Sequence, residues 1–203
     1  SGLVTVTGSE DVTKGGLFFF DNEFFLKHLV EKPSAAQLEE LRAAAELGLA
    51  GIYVRDDVGG SGLHRRDAAV IFEELAAGST STAAYISIHN MAAWMIDRFG
   101  GDEQRARFLP KLMTMEHFAS YCLTEPGAGS DAASLRTRAV RDGDHYVVNG
   151  SKTFISNGMR ADYCVTAVRT GGAGMGGIPM LLIPTDLPGF SRTPLKKMGW
   201  RLL

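Results

Sequence analysis

Glu116-His117-Phe118-Ala119-Ser120-Tyr121-Cys122-Leu123-Thr124-Glu125-Pro126-Gly127-Ala128-Gly129-Ser130-Asp131 is where the chain changes character. Before this stretch apolar residues recur at helical spacing; after it they alternate. Working back, 102–115 predicts a helix that buries Phe108, Leu112 and Met115, with a kink or break at Pro110. The run 80–99 predicts a long helix closed by Gly100-Gly101, apolar on nearly every side and therefore central in a bundle. Asp67 predicts the cap of a helix that buries Val70, Ile71 and Leu75 and ends at Gly78. Ser34 with Gln37 forms a capping-box pattern, followed by Leu38, Leu41 and Ala45 until Gly48 stops the helix.

Working forward, 119–124 reads as a strand. Segments 135–140, 145–148 and 152–155 read as two successive hairpins, turned at Asp142-Gly143-Asp144 and Asn149-Gly150. Further strands are expected at 161–169 and 178–183, separated by a glycine-rich tract, and at 190–198 after the Pro188-Gly189 turn. The fold class is α+β: an N-terminal all-helical domain followed by an antiparallel, β-barrel-like domain. The chain ends just after a strand without a closing element, which reads as a fragment.

Composition narrows the functions. A 203-residue chain with 45% hydrophobic residues can build a substantial core. Its net charge of −2 gives no electrostatic reason to expect nucleic acid or an anionic membrane as partner. Five His and two Cys are too scattered for a metal site, and Cys122 and Cys164 read as buried thiols in a reducing compartment. Residues 1–16 match neither a secretory signal nor a transit peptide. Ser87, His89, Asn90 and Asp97 interrupt the apolar run 83–99, so it reads as a buried helix, with His89 a satisfied core residue.

Two stretches can carry chemistry. After the strand ending at Thr124, Gly127 and Gly129 let backbone approach a ligand, and Ser130-Asp131 can open a short helix whose amides suit a pyrophosphate. The strand itself offers amides and the Thr124 hydroxyl to a planar ring edge. In the second stretch Phe154 and Ser156 lie two apart on a strand, hence on one face, and can stack on and bond a ring. From the residues alone, a plain turn and a plain hairpin remain alternatives.

Taken together these motifs resemble the acyl-CoA dehydrogenase flavoprotein family. The chain carries T-E-P-x-x-G-S-D at 124–131, N-G-x-K-x-F-I-S-N at 149–157, the Gly59-Gly60-Ser61-Gly62 turn and Phe108-Leu109-Pro110-Lys111-Leu112, in family order over 34–200. Segments 79–91 and 120–124 are similar to the isobutyryl-CoA dehydrogenase branch. The resemblance implies FAD as cofactor, with Tyr121, Cys122, Leu123, Thr124, Glu125, Pro126, Gly127, Ala128, Gly129, Ser130, Phe154, Ile155 and Ser156 lining it. It further implies a short, possibly branched acyl-CoA as substrate, met by Ser130, Tyr85, Ile88 and Met91, and α,β-dehydrogenation with electrons passed to electron-transferring flavoprotein.

On this resemblance 1–33 is an atypical N-terminal segment, 34–117 the N-terminal helical domain and 118–203 a truncated middle β domain that binds FAD. The family's C-terminal helical bundle, which supplies the catalytic glutamate, is absent, so no catalytic residue is assigned; Glu125 is not that base. A homo-oligomer, a tetramer in the family, is expected of the complete protein, in the mitochondrial matrix of a eukaryote or the cytoplasm of a bacterium. A truncated, non-catalytic FAD- or acyl-CoA-binding module, or an interaction scaffold, is the alternative.

Overall fold

The long helix at 80–99 is the element around which the rest is arranged. In the computed structural model, which describes residues 16–20, 26–31 and 45–195, the helices are α1 (Arg65–Gly78), α2 (Thr80–Phe99) and α3 (Asp102–Met113). Ser79 starts α2 by accepting the Thr82 N–H at its hydroxyl (3.3 Å), and the Gly100 N–H closes it on Ile96 O (2.9 Å). Asp97 near its end receives Arg55 and Arg105, each at 2.9 Å, and Arg105 reaches on to Asp57. α1 begins two residues before the expected cap. The Asp67 carboxylate reaches back to the His64 N–H (2.9 Å) from inside the first turn. Ala68 and Leu75 face the core, whereas Val70, expected there, is exposed.

α3 runs through Pro110 without the expected break and ends at Met113, short of Met115. Pro110 lies in the last turn, so few bonds remain for it to disrupt, and Met115 leaves the helix with φ of 53°. The helix expected over 34–48 lies outside the described residues up to 44. Its stop is seen, where Gly48 at φ 76° donates to Ala45 O (2.8 Å). Further upstream, β1 (Gly16–Phe20) and β2 (Leu26–Glu31) pair antiparallel, and β1 runs against α2.

The remaining strands are β3 (Ala119–Cys122), β4 (Arg138–Asp142), β5 (His145–Asn149), β6 (Tyr163–Ala167) and β7 (Met180–Pro184). β4 and β5 form the expected Asp-Gly hairpin, with Gly143 at φ 62°. The other sheet has the order β3-β6-β7, and its β3–β6 pair is parallel. Thus the architecture is α+β with mainly antiparallel pairs, but no closed barrel forms among the described residues.

Three local expectations fail. The first strand stops at Cys122, because Leu123 and Thr124 leave β6 for a turn. Segment 152–155 is a loop, since Phe154 and Asn157 adopt φ of 56° and 64°, which a strand cannot hold. Residues 190–195 form no strand, and 196–198 lie outside the described residues. One core unites the layers: Ala92, Ala93 and Ile96 of α2 and Leu109 and Leu112 of α3 pack with Ala119 and Val165 of the sheet.

Candidate functional site

Among the described residues β3 borders β6 on one edge only, and its other edge leads to the site. That open edge is tied down at selected points. The Ala119 N–H donates to His89 Nδ1 (3.2 Å), Ala119 O accepts from the Asn157 carboxamide (3.2 Å), and Leu123 O accepts from Lys152 Nζ (2.9 Å). By contrast, the N–H groups of Leu123 and Thr124 and the Thr124 hydroxyl have no partner among the described residues.

Beyond Thr124 the chain reverses through Pro126-Gly127. Glu125 and Ala128 close the turn on each other, with N···O distances of 2.8 and 3.2 Å. Two amides of the bend, those of Glu125 and Ala128, are thereby consumed within the turn. Those of Gly127, Gly129 and Ser130, and the Ser130 hydroxyl, remain unbonded among the described residues. A single 3-10 turn, Ala132–Ser134, follows, with Asp131 bonded to the Ser134 hydroxyl. Arg169 staples that turn from beyond β6 through Ala133 O (2.7 Å) and Leu135 O (3.1 Å).

Neither turn glycine is required by its surroundings. A Cβ at Gly127 would meet nothing within 4 Å, and one at Gly129 would touch only Thr124 Cγ2 at 3.8 Å. The space they leave therefore opens outward, with room for a ligand beside the turn.

The loop 150–157 lies alongside this turn. The Thr153 N–H bonds Thr124 O (2.8 Å), the Ser120 hydroxyl bonds Ser156 O, and Lys152 Nζ bonds Glu125 Oε1 (2.8 Å). Phe154 is consequently thrown outward and is 72% exposed, while Lys152 is fully buried. The two side chains expected on one strand face, Phe154 and Ser156, instead belong to a loop in which Ser156 is half-buried.

Burial alone would raise the Glu125 pKa. Hydrogen bonds from Lys152 and from the backbone N–H groups of Arg136 (2.7 Å) and Thr137 (2.8 Å) instead bring it down to about 2. Burial pushes the Lys152 pKa down, and Glu125 opposes that shift. Both carboxylate oxygens of Glu125 are engaged, and the group is a poor proton acceptor.

Of the thirteen residues expected to line a cofactor, Cys122, Glu125, Ala128 and Ile155 bury their side chains. They can meet a ligand only through backbone. Leu123, Thr124, Pro126, Gly127, Gly129, Ser130, Phe154 and, in part, Tyr121 and Ser156 are accessible. On α2, Ile88 and Met91 are partly open. Tyr85 is turned into the core with its ring edge on Phe118 (5.9 Å), and burial raises its pKa. An apolar groove of about 460 Å³ beside Met95, Phe99 and Met180 includes none of these three.

Lys152, Asn157 and Asn90 were given no role from sequence, yet Lys152 and Asn157 fix backbone at the site and Asn90 fixes the loop at 49–52. Asn90 accepts the Ile52 N–H (2.6 Å) and donates to Leu49 O (2.7 Å) and Ile86 O (3.0 Å). The available signal was chemical. A Lys inside a stretch that also carries Thr153 and Ile155 can be buried only against a carboxylate, which here comes from Glu125 far back in the chain.

Residues 22–116 match the family model for the acyl-CoA dehydrogenase N-terminal domain, and residues 120–203 match that for the middle domain. The chain belongs to the acyl-CoA dehydrogenase family. It is 58% identical over 164 residues to bovine mitochondrial isobutyryl-CoA dehydrogenase, covering 80% of this chain and 39% of that protein. It is 57% identical over 162 residues to the enzyme of that name from Dictyostelium discoideum, covering 79% and 39%. A crystal structure of a Mycobacterium smegmatis glutaryl-CoA dehydrogenase in complex with FADH2 superimposes with a TM-score of 0.74 at 32% identity, over 80% of this chain and 42% of that one. This acyl-CoA dehydrogenase chain thus spans about two fifths of the length of the relatives it matches.

Proposed function

We propose that this chain is the flavin-binding part of an enzyme that dehydrogenates a short, branched acyl-CoA between its α and β carbons, with FAD as cofactor. The reading is carried by the unbonded amides of Leu123, Thr124, Gly129 and Ser130 beside the outward Phe154, in a chain of this family. The amides of Leu123 and Thr124 and the Thr124 hydroxyl would meet the polar edge of the ring, and Phe154 its face. The Gly129 and Ser130 amides would hold the pyrophosphate, with Gly127 leaving room for it. When bound, FAD supplies the acceptor for the hydride that leaves the β carbon.

The names of the two isobutyryl-CoA dehydrogenases support a branched substrate. Ser130 would also meet its CoA arm, and Ile88 and Met91 would line its acyl end, with Tyr85 supporting that wall from behind. Glu125 is too firmly bonded to remove an α-proton, and the resemblance to the family assigns that step to a glutamate of its C-terminal helical domain. The electron acceptor is an electron-transferring flavoprotein, and the complete protein is a homo-oligomer. It works in the mitochondrial matrix if the source is a eukaryote, as the relatives' names support, or in the cytoplasm if it is a bacterium.

Anaerobic spectroscopy tests this. Protein expressed from the whole of its gene is expected to be yellow after reconstitution with FAD and to bleach with isobutyryl-CoA. Failure to take up FAD ends the flavin reading. Uptake without bleaching by any short acyl-CoA ends the catalytic one.

A further inference from the structure

Lys152 is an expensive residue to bury completely, and packing alone does not account for it. Nonpolar side chains of similar volume would hold the loop against the turn at least as well. What an ammonium adds is direction and charge. Nζ lies 2.9 Å from Leu123 O and 2.8 Å from Glu125 Oε1, so it spans the end of β3 and the turn that follows. Glu125 is held independently of it, because the Arg136 and Thr137 N–H groups bond both carboxylate oxygens. The carboxylate is therefore a fixed anion that keeps Lys152 charged in a place where burial opposes charge.

The consequence lies across one peptide plane. The carbonyl of Leu123 and the N–H of Thr124 belong to the same planar, trans unit, so fixing one fixes the other in the opposite direction. A cation on the carbonyl oxygen also polarises that N–H and makes it a stronger donor. The Thr124 N–H is one of the amides without a partner among the described residues.

Resting on the flavin reading above, we propose that Lys152 is a positioning residue of the flavin site: its ammonium fixes and polarises the Leu123–Thr124 peptide and holds a positive charge beside the ring-facing amides. Its chemical partner is therefore the electron-rich edge of a bound flavin, which gains negative charge on reduction. Glu125 serves by keeping that ammonium ionised.

The test uses protein expressed from the whole of its gene, stripped of flavin and titrated with FAD, together with the midpoint potential of the bound flavin. Lys152→Met is expected to weaken FAD binding at least tenfold and to make the potential more negative. Lys152→Arg should keep the potential within error of the wild type. Should Lys152→Met fail to fold, the neutral pair Lys152→Met with Glu125→Gln leaves no lone buried charge and is expected to show both effects. Wild-type affinity in the neutral variants, or weaker binding with an unchanged potential, overturns the inference while leaving the flavin reading intact. A wild-type protein that takes up no FAD overturns the reading on which it rests.

Discussion

The Nδ1 atom of His89 accepts the backbone N–H of Ala119 at 3.2 Å, so the first amide of β3 is held by a side chain from the centre of α2. Since Nδ1 is the acceptor, the proton sits on Nε2, which donates to Leu112 O at 3.0 Å. One neutral ring thus joins α2, α3 and the strand that leads to the candidate site.

Burial lowers the His89 pKa from 6.5 to about 4, with the bond to Leu112 O partly opposing the shift. The neutral form is the native one, so this contribution is complete above the unfolded value of 6.5. It is lost as pH falls through the folded value of about 4. The expected loss is about 3 kcal/mol. Denaturant unfolding of wild type and His89→Gln between pH 7 and pH 4 checks this. The variant should show a flatter pH dependence, whereas parallel curves would rule the linkage out. Glu125, depressed to about 2, acts in a lower window and should not blur the comparison above its unfolded value of 4.5.

Asn90 makes three buried bonds with one carboxamide, two of them to the loop at 49–52. Asn90→Ala leaves the Ile52 N–H and the Leu49 carbonyl without partners, while Ile86 O keeps its helical bond, and should cost about 2–4 kcal/mol. Chemical denaturation reads the loss. A cost below about 1 kcal/mol, the net worth of a single such bond, would mean that water replaces the amide.

How far the sequence could be read depends on whether the signal was local. Gly100 and the Asp142-Gly143 turn act on their neighbours in the chain, and the elements they bound appear as expected. The loop 152–155 inverts its apparent pattern. Alternation puts Lys152, Phe154 and Ser156 on one face, yet Lys152 is buried because Glu125, distant in sequence, supplies its counter-charge, while Phe154 points outward. The parallel pairing of β3 with β6 has no turn to announce it, since a long connection separates the two strands. Residues of the site's surface were legible as a motif; those beneath it depend on distant partners.

Two glycines separate cofactor effects from folding effects. Gly129→Val places its Cβ in open space beside Thr124, so the flavin-free protein should keep its stability within about 0.5 kcal/mol while FAD binding weakens more than tenfold. Gly60→Ala drives a Cβ to 2.2 Å from Val54 O and should destabilise the fold by about 3 kcal/mol. Flavin absorbance after gel filtration, read beside thermal unfolding, distinguishes the two. Equal retention of flavin in Gly129→Val and Ser61→Ala would remove the phosphate cradle.

Cys122 and Cys164 are free and fully buried in one small cluster with Ile155 and Ala161. A hydrogen bond with Cys122, and then burial, raises the Cys164 pKa well above its ordinary value. Only the thiolate attacks an alkylating reagent. Native protein at neutral pH is expected to resist iodoacetamide, and the unfolded chain to react at both positions. Intact-protein mass spectrometry checks this, and ready labelling of the native state would contradict the packing.

Phe154 combines two costs, an apolar ring that is 72% exposed and a φ of 56°. The left-handed region costs a residue with a side chain roughly 1 kcal/mol or more, and glycine avoids that strain. Because the ring contributes little to the protein's own core, Phe154→Gly should leave the flavin-free protein at least as stable as wild type. The strain relieved offsets the added freedom of the unfolded chain. The same change removes the face proposed to stack on the flavin and should weaken FAD binding several-fold. Phe154→Trp, which keeps a flat face, should retain it. Calorimetric titration of FAD beside thermal unfolding decides the matter. A glycine variant that binds FAD as tightly as wild type would show that the outward ring serves something else, and one that melts much earlier would show that Phe154 packs within the fold after all.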